Sequence, residues 1–402
     1  MTDCDLEQVR TLHRAGRSRE ALLACRELLA SEPNDVDALI VAGTLCLKLA
    51  EPRAAVDFFS HVLSLRPNFV PAHNNLGNAH YELRELEAAA ASFQRALELA
   101  PDAAHLHRNL GTTLREQGKL DAALSRFQRA LSLRPDWVRA LQSLATTAME
   151  LGHWRVAAEA CFIWLQLRPA NVEALGLASI ALDELGEQGP ADELLDFDRL
   201  LQIRAISEPP PGFASLADFN AALAQHALEH PTLRALAPTD PRYHCPSLRL
   251  TAEFCTEAAG PAAALARLVA AAVDGYVSEL ARALPAHPFV AGAATRFALK
   301  SWATVLDGEG NLEPHVHYDS YVSAVYYPKI PSGMSSSQPG AGFLEFGGGP
   351  TRFPCRVRRP VRVIEPREGL LVLFPSYFYH RTAPFRAPEP RIAIAFDTVP
   401  AA

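Results

Sequence analysis

Residues 313–327 read EPHVHYDSYVSAVYY, and this stretch carries the polar pattern that decides how the second half of the chain is interpreted. His315, His317 and Asp319 recur at every second position, so on a β-strand their side chains would leave from one face. A histidine and a carboxylate two residues apart on a strand can bind one metal ion together. The stretch therefore predicts a strand that carries part of a metal site.

Length and composition set the class of protein. The chain has 402 residues, enough for two domains, with a net charge of −7 and no basic run, which argues against a nucleic-acid-binding protein. Its first thirty residues or so lack the apolar segment of a signal peptide, and no later stretch is apolar enough to cross a membrane. We therefore expect a cytoplasmic protein without a membrane partner; the oligomeric state is left open.

The cysteine pattern does not predict a disulfide framework. The seven cysteines form no CxxC motif, and their number is odd. We interpret them as reduced, mostly structural thiols.

The N-terminal half is an internal repeat. Prolines that each end a helical pattern recur every 34 residues, at Pro33, Pro67, Pro101, Pro135 and Pro169. Small residues recur in the same register at Gly43, Gly77 and Gly111, and aromatic residues that we expect to fill the gap between units recur at Phe59, Phe93 and Phe127. A fixed period of this length is typical of a helical solenoid. Over roughly residues 3–185 the pattern resembles the tetratricopeptide repeat (TPR).

The resemblance to TPR proteins implies that the first helix of each repeat lines a concave groove. Polar residues at those positions are Asn74, Asn75, Asn78, Arg108, Asn109 and Thr112. An asparagine side chain can donate to and accept from a peptide backbone at once, so these residues are candidate contacts for an extended protein or peptide. The alternative is that they simply meet water.

Residues 207–212 read SEPPPG and predict a linker, because three successive prolines cannot continue a helix. We expect a solenoid over 1–206 and a second domain over 213–402, with helices at 216–229 and 260–284. From residue 297 to about 400 the pattern changes to short alternating apolar runs, including one at 315–327. This pattern predicts a double-sheet jelly roll with flanking helices.

The second domain resembles the iron(II)- and 2-oxoglutarate-dependent dioxygenases of the prolyl-hydroxylase-like type. His317 and Asp319 match the first two metal ligands of that family, and His380, in FPSYFYHRTAPF, matches the third. Arg391, in PRIAIAF, matches the basic residue that pairs with the distal carboxylate of 2-oxoglutarate, and Tyr327 matches a hydroxyl that often binds the same group. The resemblance implies Fe(II) and 2-oxoglutarate as cofactors and O2 as co-substrate.

Several assignments around this site stay open. His315 would point the same way as His317 and could replace it as a ligand; otherwise it belongs, with Trp302, Asn311 and Ser323, to the residues around the metal or the substrate. Many relatives carry a Ser or Thr two residues after the basic residue, where this chain has Ala393. Ser323 or Thr304 could supply that hydroxyl.

The leading hypothesis is a dioxygenase that hydroxylates a protein or peptide recruited by the TPR groove. One alternative is an oxygenase for a small metabolite whose repeats serve assembly. Another is a TPR scaffold with an inactive oxygenase-like domain.

Overall fold

The computed structural model describes residues 6–235, 247–291, 296–332, 334, 340–347, 352–356 and 362–400. It divides into two compact units, Met1–Leu151 and Gly152–Ala402. Within the described residues, no helix is both long enough and apolar enough to cross a membrane.

The first unit consists of helices connected by short turns. These are α1 (Leu6–Arg14), α2 (Ser18–Ser31), α3 (Val36–Lys48), α4 (Pro52–Leu65), α5 (Val70–Glu82), α6 (Leu86–Leu99), α7 (Ala104–Glu116), α8 (Leu120–Leu133) and α9 (Val138–Leu151). Consecutive helices pack as antiparallel pairs, as in helical repeat proteins.

The repeated glycine and phenylalanine positions contact one another within each repeat. A Cβ atom added to Gly43, Gly77 or Gly111 would lie 2.7–2.8 Å from the ring of Phe59, Phe93 or Phe127, respectively. The three rings are fully buried or nearly so. The aromatic ring therefore requires a glycine on the facing helix, and it fills space inside a repeat as well as beside the next one.

The second unit begins with helices that follow the same pattern. They are α10 (Trp154–Leu167), α11 (Val172–Leu185), α12 (Gln188–Leu194) and the short α13 (Phe197–Leu200). The next segment, β1 (Gln202–Ala205), is a strand, although the sequence predicted helix up to about residue 206. Both the strand and these helices precede SEPPPG, so the predicted linker does not coincide with the division between the compact units.

The remaining helices and strands of the second unit are α14 (Leu216–Glu229), β2 (Arg234–Ala235), β3 (Leu248–Leu250), α15 (Gly260–Ala283), β4 (Phe297–Leu306), β5 (Glu309–His315), β6 (Val322–Lys329), β7 (Leu344–Phe346), β8 (Arg362–Ile364), β9 (Leu370–Pro375), β10 (His380–Arg386) and β11 (Arg391–Pro400). The major sheet has the order β1-β9-β6-β11-β4-β3-β2, and the minor sheet has the order β5-β10-β7-β8. All pairs in both sheets are antiparallel. The predicted jelly roll with flanking helices is confirmed.

The predicted strand over 315–327 is in fact two strands in different sheets. β5 ends at His315 in the minor sheet, and β6 begins at Val322 in the major sheet. Residues Tyr318 and Asp319 form a turn between them. The predicted alternation of faces therefore does not extend beyond His315, because it applies only within one strand.

Within each of the single strands β6 and β11, side chains alternate between two faces. Arg391, Ala393 and Ala395 line the cavity between the sheets, whereas Ile392 and Ile394 are buried on the opposite face. Tyr326 points away from the cavity and donates a hydrogen bond to Asn220 Oδ1 of α14, at 2.6 Å.

Helices at the start of the second unit pack against the jelly roll. The Tyr377 hydroxyl donates to the carbonyl oxygen of Leu194, and the Tyr276 hydroxyl donates to that of Leu200. β1 pairs with β9 along four residue pairs and forms one edge of the major sheet. The jelly-roll domain is thus in contact with segments that lie N-terminal to the predicted linker.

Candidate metal and co-substrate site

Three histidines meet inside the jelly roll. His315 ends β5, His317 follows it by two residues, and His380 begins β10, paired directly opposite His315. One nitrogen from each ring lies within 4.8 Å of the others. Three imidazoles at this spacing can bind one divalent transition metal ion.

Hydrogen bonds set the orientation of all three rings. The Nδ1 atom of His315 lies 2.7 Å from the carbonyl oxygen of Glu313, and that of His380 lies 2.9 Å from the carbonyl oxygen of Phe378. His317 Nδ1 lies 2.9 Å from both carboxylate oxygens of Asp397. An oxygen acceptor at Nδ1 assigns the proton to that atom, and Nε2 then keeps the lone pair that a metal requires.

Burial keeps two of the rings neutral. Removal from water, followed by the neighbouring His317, lowers the pKa of His315 to about 4. Burial, followed by the adjacent His315 and His317, holds the pKa of His380 well below its usual value. A neutral imidazole is the form that binds a metal.

Asp319 does not belong to this group. The structure places it, exposed, in the turn after His317, and the metal-binding group found among the described residues consists of the three histidines. The geometry therefore brings together His317 and His380, as predicted, but with His315 in place of Asp319. The physical reason is the end of β5 at His315, which removes Asp319 from the face that the alternation had assigned to it.

Arg391 and Tyr327 lie at the other side of the same cavity. Arg391 is buried, with 2% of its surface exposed. Its guanidinium carbon lies 5.0 Å from the centre of the Tyr327 ring. Neither Arg391 Nε nor the Tyr327 hydroxyl has a partner with hydrogen-bond geometry. Burial raises the pKa of Tyr327, while the neighbouring Arg391 acts in the opposite direction.

No acidic side chain among the described residues forms an ion pair with Arg391. Two other arginines of this domain differ in this respect, since Arg367 pairs with Glu365 at 2.8 Å and Arg381 pairs with Glu345 at 2.6 Å. A buried guanidinium without an anion is costly, so this end of the cavity fits an anionic ligand.

The other predicted site residues fall at different places. Trp302 lines the cavity, with its ring centre 5.6 Å from that of His317. Thr304 also lines it, and its hydroxyl donates to the carbonyl oxygen of Ala393 at 2.9 Å. Ser323 is buried and donates to Asp397, whereas Asn311 donates to Glu313 and is not among the residues that line the cavity. Ser323 and Thr304 were the two candidates for the hydroxyl that is missing at Ala393. Of these two, only Thr304 lines the cavity.

Apolar side chains form the walls between the histidines and Arg391. Leu312 and Leu344 come from the minor sheet, and Val325 and Phe374 come from the major sheet. These walls reduce access of water to the cavity, which strengthens polar interactions within it.

In the first unit, the predicted groove residues form a chain of hydrogen bonds across two helices. Asn74 donates to Asn75 at 3.0 Å, Asn109 donates to Asn74 at 3.1 Å, and Arg108 donates to Asn109 at 3.3 Å. Thr112 donates instead to the backbone of its own helix, at the Arg108 carbonyl oxygen. Asn78, one turn after Asn74 on α5, is half-buried.

The sequence argument missed Asp397, the partner of His317. Its position was available from alternation, because Asp397 lies six residues after Arg391 in β11 and so shares the cavity face with it.

Two family models match separate parts of the chain. Residues 300–397 match a family model described as "Putative 2OG-Fe(II) oxygenase". Residues 70–136 match a model described as "Tetratricopeptide repeat". No curated protein sequence matches the chain.

Several solved structures resemble part of the chain. One is MamA 41-end from Desulfovibrio magneticus RS-1, with 25% identity and a TM-score of 0.38, over 40% of this chain and 90% of that one. A second is YrrB, described as a TPR protein with an unusual peptide-binding site, with 21% identity and a TM-score of 0.40, over 44% and 91%. A third is Pseudomonas aeruginosa pilF, with 19% identity and a TM-score of 0.41, over 48% and 88%.

The histidine cluster, the buried arginine and the two family matches lead to one description. The chain joins tetratricopeptide repeats to a C-terminal domain that matches the 2OG-Fe(II) oxygenase family.

Proposed function

We propose that the protein is an Fe(II)- and 2-oxoglutarate-dependent dioxygenase that hydroxylates a protein or peptide recruited by its repeats. The observation that carries the proposal is the cavity with three metal-ready histidines at one side and a buried, anion-free Arg391 at the other. Ligand type alone does not choose the metal, because imidazole also suits zinc, copper and nickel. The family match, together with the buried guanidinium of Arg391 that has no acidic partner among the described residues, favours iron with 2-oxoglutarate.

In this proposal His315, His317 and His380 hold the metal. Each ring can present Nε2 because its Nδ1 proton is donated to an oxygen, so no change of tautomer is needed before binding. Three protein ligands leave coordination positions for a bidentate co-substrate and for O2.

Arg391 and Tyr327 bind the distal carboxylate of 2-oxoglutarate. The guanidinium offers two parallel N–H donors and the phenol offers one O–H donor, in a pocket that excludes most water. When bound, Fe(II) and 2-oxoglutarate supply the oxidising chemistry that inserts one oxygen atom of O2 into a C–H bond and leaves succinate and CO2. The apolar walls and Trp302 orient the substrate carbon and keep water out.

The repeat groove recruits the substrate. The linked amides of Asn74, Asn75 and Asn109 are half-buried, and they can exchange their mutual hydrogen bonds for bonds to an extended backbone. Arg108 lies over the Trp137 ring at 5.4 Å and adds a positive charge beside them, which favours a segment with acidic side chains. Binding in the groove would raise the local concentration of substrate at the metal site.

A direct test measures succinate formed from 2-oxoglutarate by the iron-loaded chain in air, with His380→Ala as the inactive control. We expect turnover that depends on His380; its absence in every iron-replete condition would favour an inactive scaffold. Proteins that the chain captures from a lysate are then searched by mass spectrometry for a His380-dependent gain of one oxygen. A chain that hydroxylates only small molecules, with no effect of Asn75→Ala plus Asn109→Ala, would contradict the role of the groove.

A further inference from the structure

The carboxylate of Asp397 contacts His317, one of the three clustered histidines. Both of its oxygens lie 2.9 Å from His317 Nδ1, and its side chain and that of His317 are each about one-seventh exposed, at 15% and 14%. The aspartate thus forms its hydrogen bond with one ring of the three, at the Nδ1 atom of His317.

A chain of serine hydroxyls fixes the position of this carboxylate. Ser323 donates to Asp397 Oδ1 at 2.7 Å, and its oxygen lies 2.9 Å from that of Ser376. Ser376 in turn donates to Ser320 at 3.0 Å. All three serines are buried. Their hydrogen bonds connect the segment before β6, β6 itself and the end of β9. Such a network holds a buried side chain in one orientation.

The other two histidines have neutral acceptors. His315 and His380 each use a backbone carbonyl oxygen at Nδ1. A carboxylate acceptor makes an imidazole a stronger metal ligand than a carbonyl acceptor does, because the negative charge stabilises the ring when Nε2 gives its lone pair to the metal. The asymmetry predicts that His317 is the strongest of the three ligands.

Among the described residues, the ligand group contains no carboxylate, so imidazole rings alone bring no negative charge to a divalent metal. On the basis of the proposed metal site, we propose that Asp397 is a positioning residue. It holds His317 in the Nδ1-protonated form and supplies, through that imidazole, the negative charge that a directly bound carboxylate would supply. Its role is thus exerted on metal affinity rather than on the substrate.

Metal affinity of the full-length chain tests this role without any turnover. Co(II) is titrated into the metal-free protein in competition with a chelator of known affinity. The variants are Asp397→Ala, Asp397→Asn and, as a charge-matched control, Asp274→Asn, which changes an exposed carboxylate on α15. Loss of a carboxylate behind a ligating histidine typically weakens metal binding by about 10–100-fold.

We expect Asp397→Ala to weaken Co(II) binding by about 10-fold or more. Asp397→Asn should weaken it less, since the amide oxygen still accepts the Nδ1 proton but carries no charge. The Asp274→Asn control should bind as the wild type does. A second readout is the visible spectrum of bound Co(II), which should shift in Asp397→Asn because the basicity of His317 changes.

The outcomes separate this inference from the proposed function. If the wild-type chain binds Co(II) and Asp397→Ala binds it equally well, Asp397 is only a structural partner and the inference is overturned. If Asp397→Ala does not fold, wild-type affinity and an unshifted spectrum in Asp397→Asn overturn the charge role. If the wild-type chain itself binds neither Co(II) nor Fe(II), it is the proposed metal site that fails.

Discussion

Replacing Arg391 by methionine should weaken the binding of 2-oxoglutarate without lowering the stability of the ligand-free protein. Methionine keeps most of the length of arginine but removes the charge from a residue that is 2% exposed and has no acidic partner. Removal of an uncompensated buried charge costs the folded state little or stabilises it. We therefore expect the free energy of unfolding of the ligand-free Arg391→Met protein to equal or exceed that of the wild type.

Binding of 2-oxoglutarate should be lost in the same variant. Two charge-assisted hydrogen bonds contribute about 1.5–3 kcal/mol each, so their loss costs about 3 kcal/mol or more. Since each 1.4 kcal/mol is about a tenfold change, the dissociation constant should rise about 100-fold or more.

The assay combines urea unfolding of the metal-free protein with calorimetric titration of 2-oxoglutarate into the Co(II)-loaded protein. Arg367→Met is the control, because Arg367 is exposed and already paired with Glu365; both quantities should stay close to wild type. An Arg391→Met protein that is strongly destabilised without ligand, or that binds 2-oxoglutarate normally, would refute the assignment.

Three further predictions concern other parts of the molecule. Gly77→Ala should destabilise the first unit by about 1–3 kcal/mol in urea unfolding, because its Cβ would lie 2.7 Å from the Phe93 ring. Adding Phe93→Leu should recover part of that loss. Unchanged stability of the single variant would count against this packing. A fragment of residues 152–402 should fold cooperatively by circular dichroism, whereas a fragment of residues 213–402 should aggregate because it lacks β1 and α11–α13. A well-folded shorter fragment would contradict this and support the linker at 207–212 as the domain boundary. Burial raises the pKa of Cys255 to about 11. Alkylation of this thiol by iodoacetamide, mapped by mass spectrometry, should therefore be slow at pH 8 and accelerate as the pH rises toward 11. An alkylation rate equal to that of the unfolded chain would contradict this.

The sequence predicted those parts of the fold that depend on local periodicity. α14 matches its predicted range of 216–229, and β4 begins at residue 297, where the change to short alternating apolar runs was predicted. Such features follow from a repeating pattern within one strand or helix, which a single sequence displays directly.

What the sequence could not show depends on contacts between distant residues. β1 is only four residues long, and it is a strand because β9 pairs with it, so SEPPPG looked like a boundary although the sheet had already begun. The place where β5 ends was equally hidden, and that place decides whether His315 or Asp319 joins His317 and His380. Asp397, far along the chain, showed no motif of its own; only the pairing of β11 beside β6 brings it to His317.

The most direct test of the account is the visible charge-transfer band that forms when Fe(II) and 2-oxoglutarate bind anaerobically to the protein. We expect His315→Ala to abolish the band and Asp319→Ala to retain it, since His315 belongs to the three-histidine group and Asp319 lies exposed in the following turn. The opposite result, with the band retained in His315→Ala and lost in Asp319→Ala, would contradict the three-histidine centre.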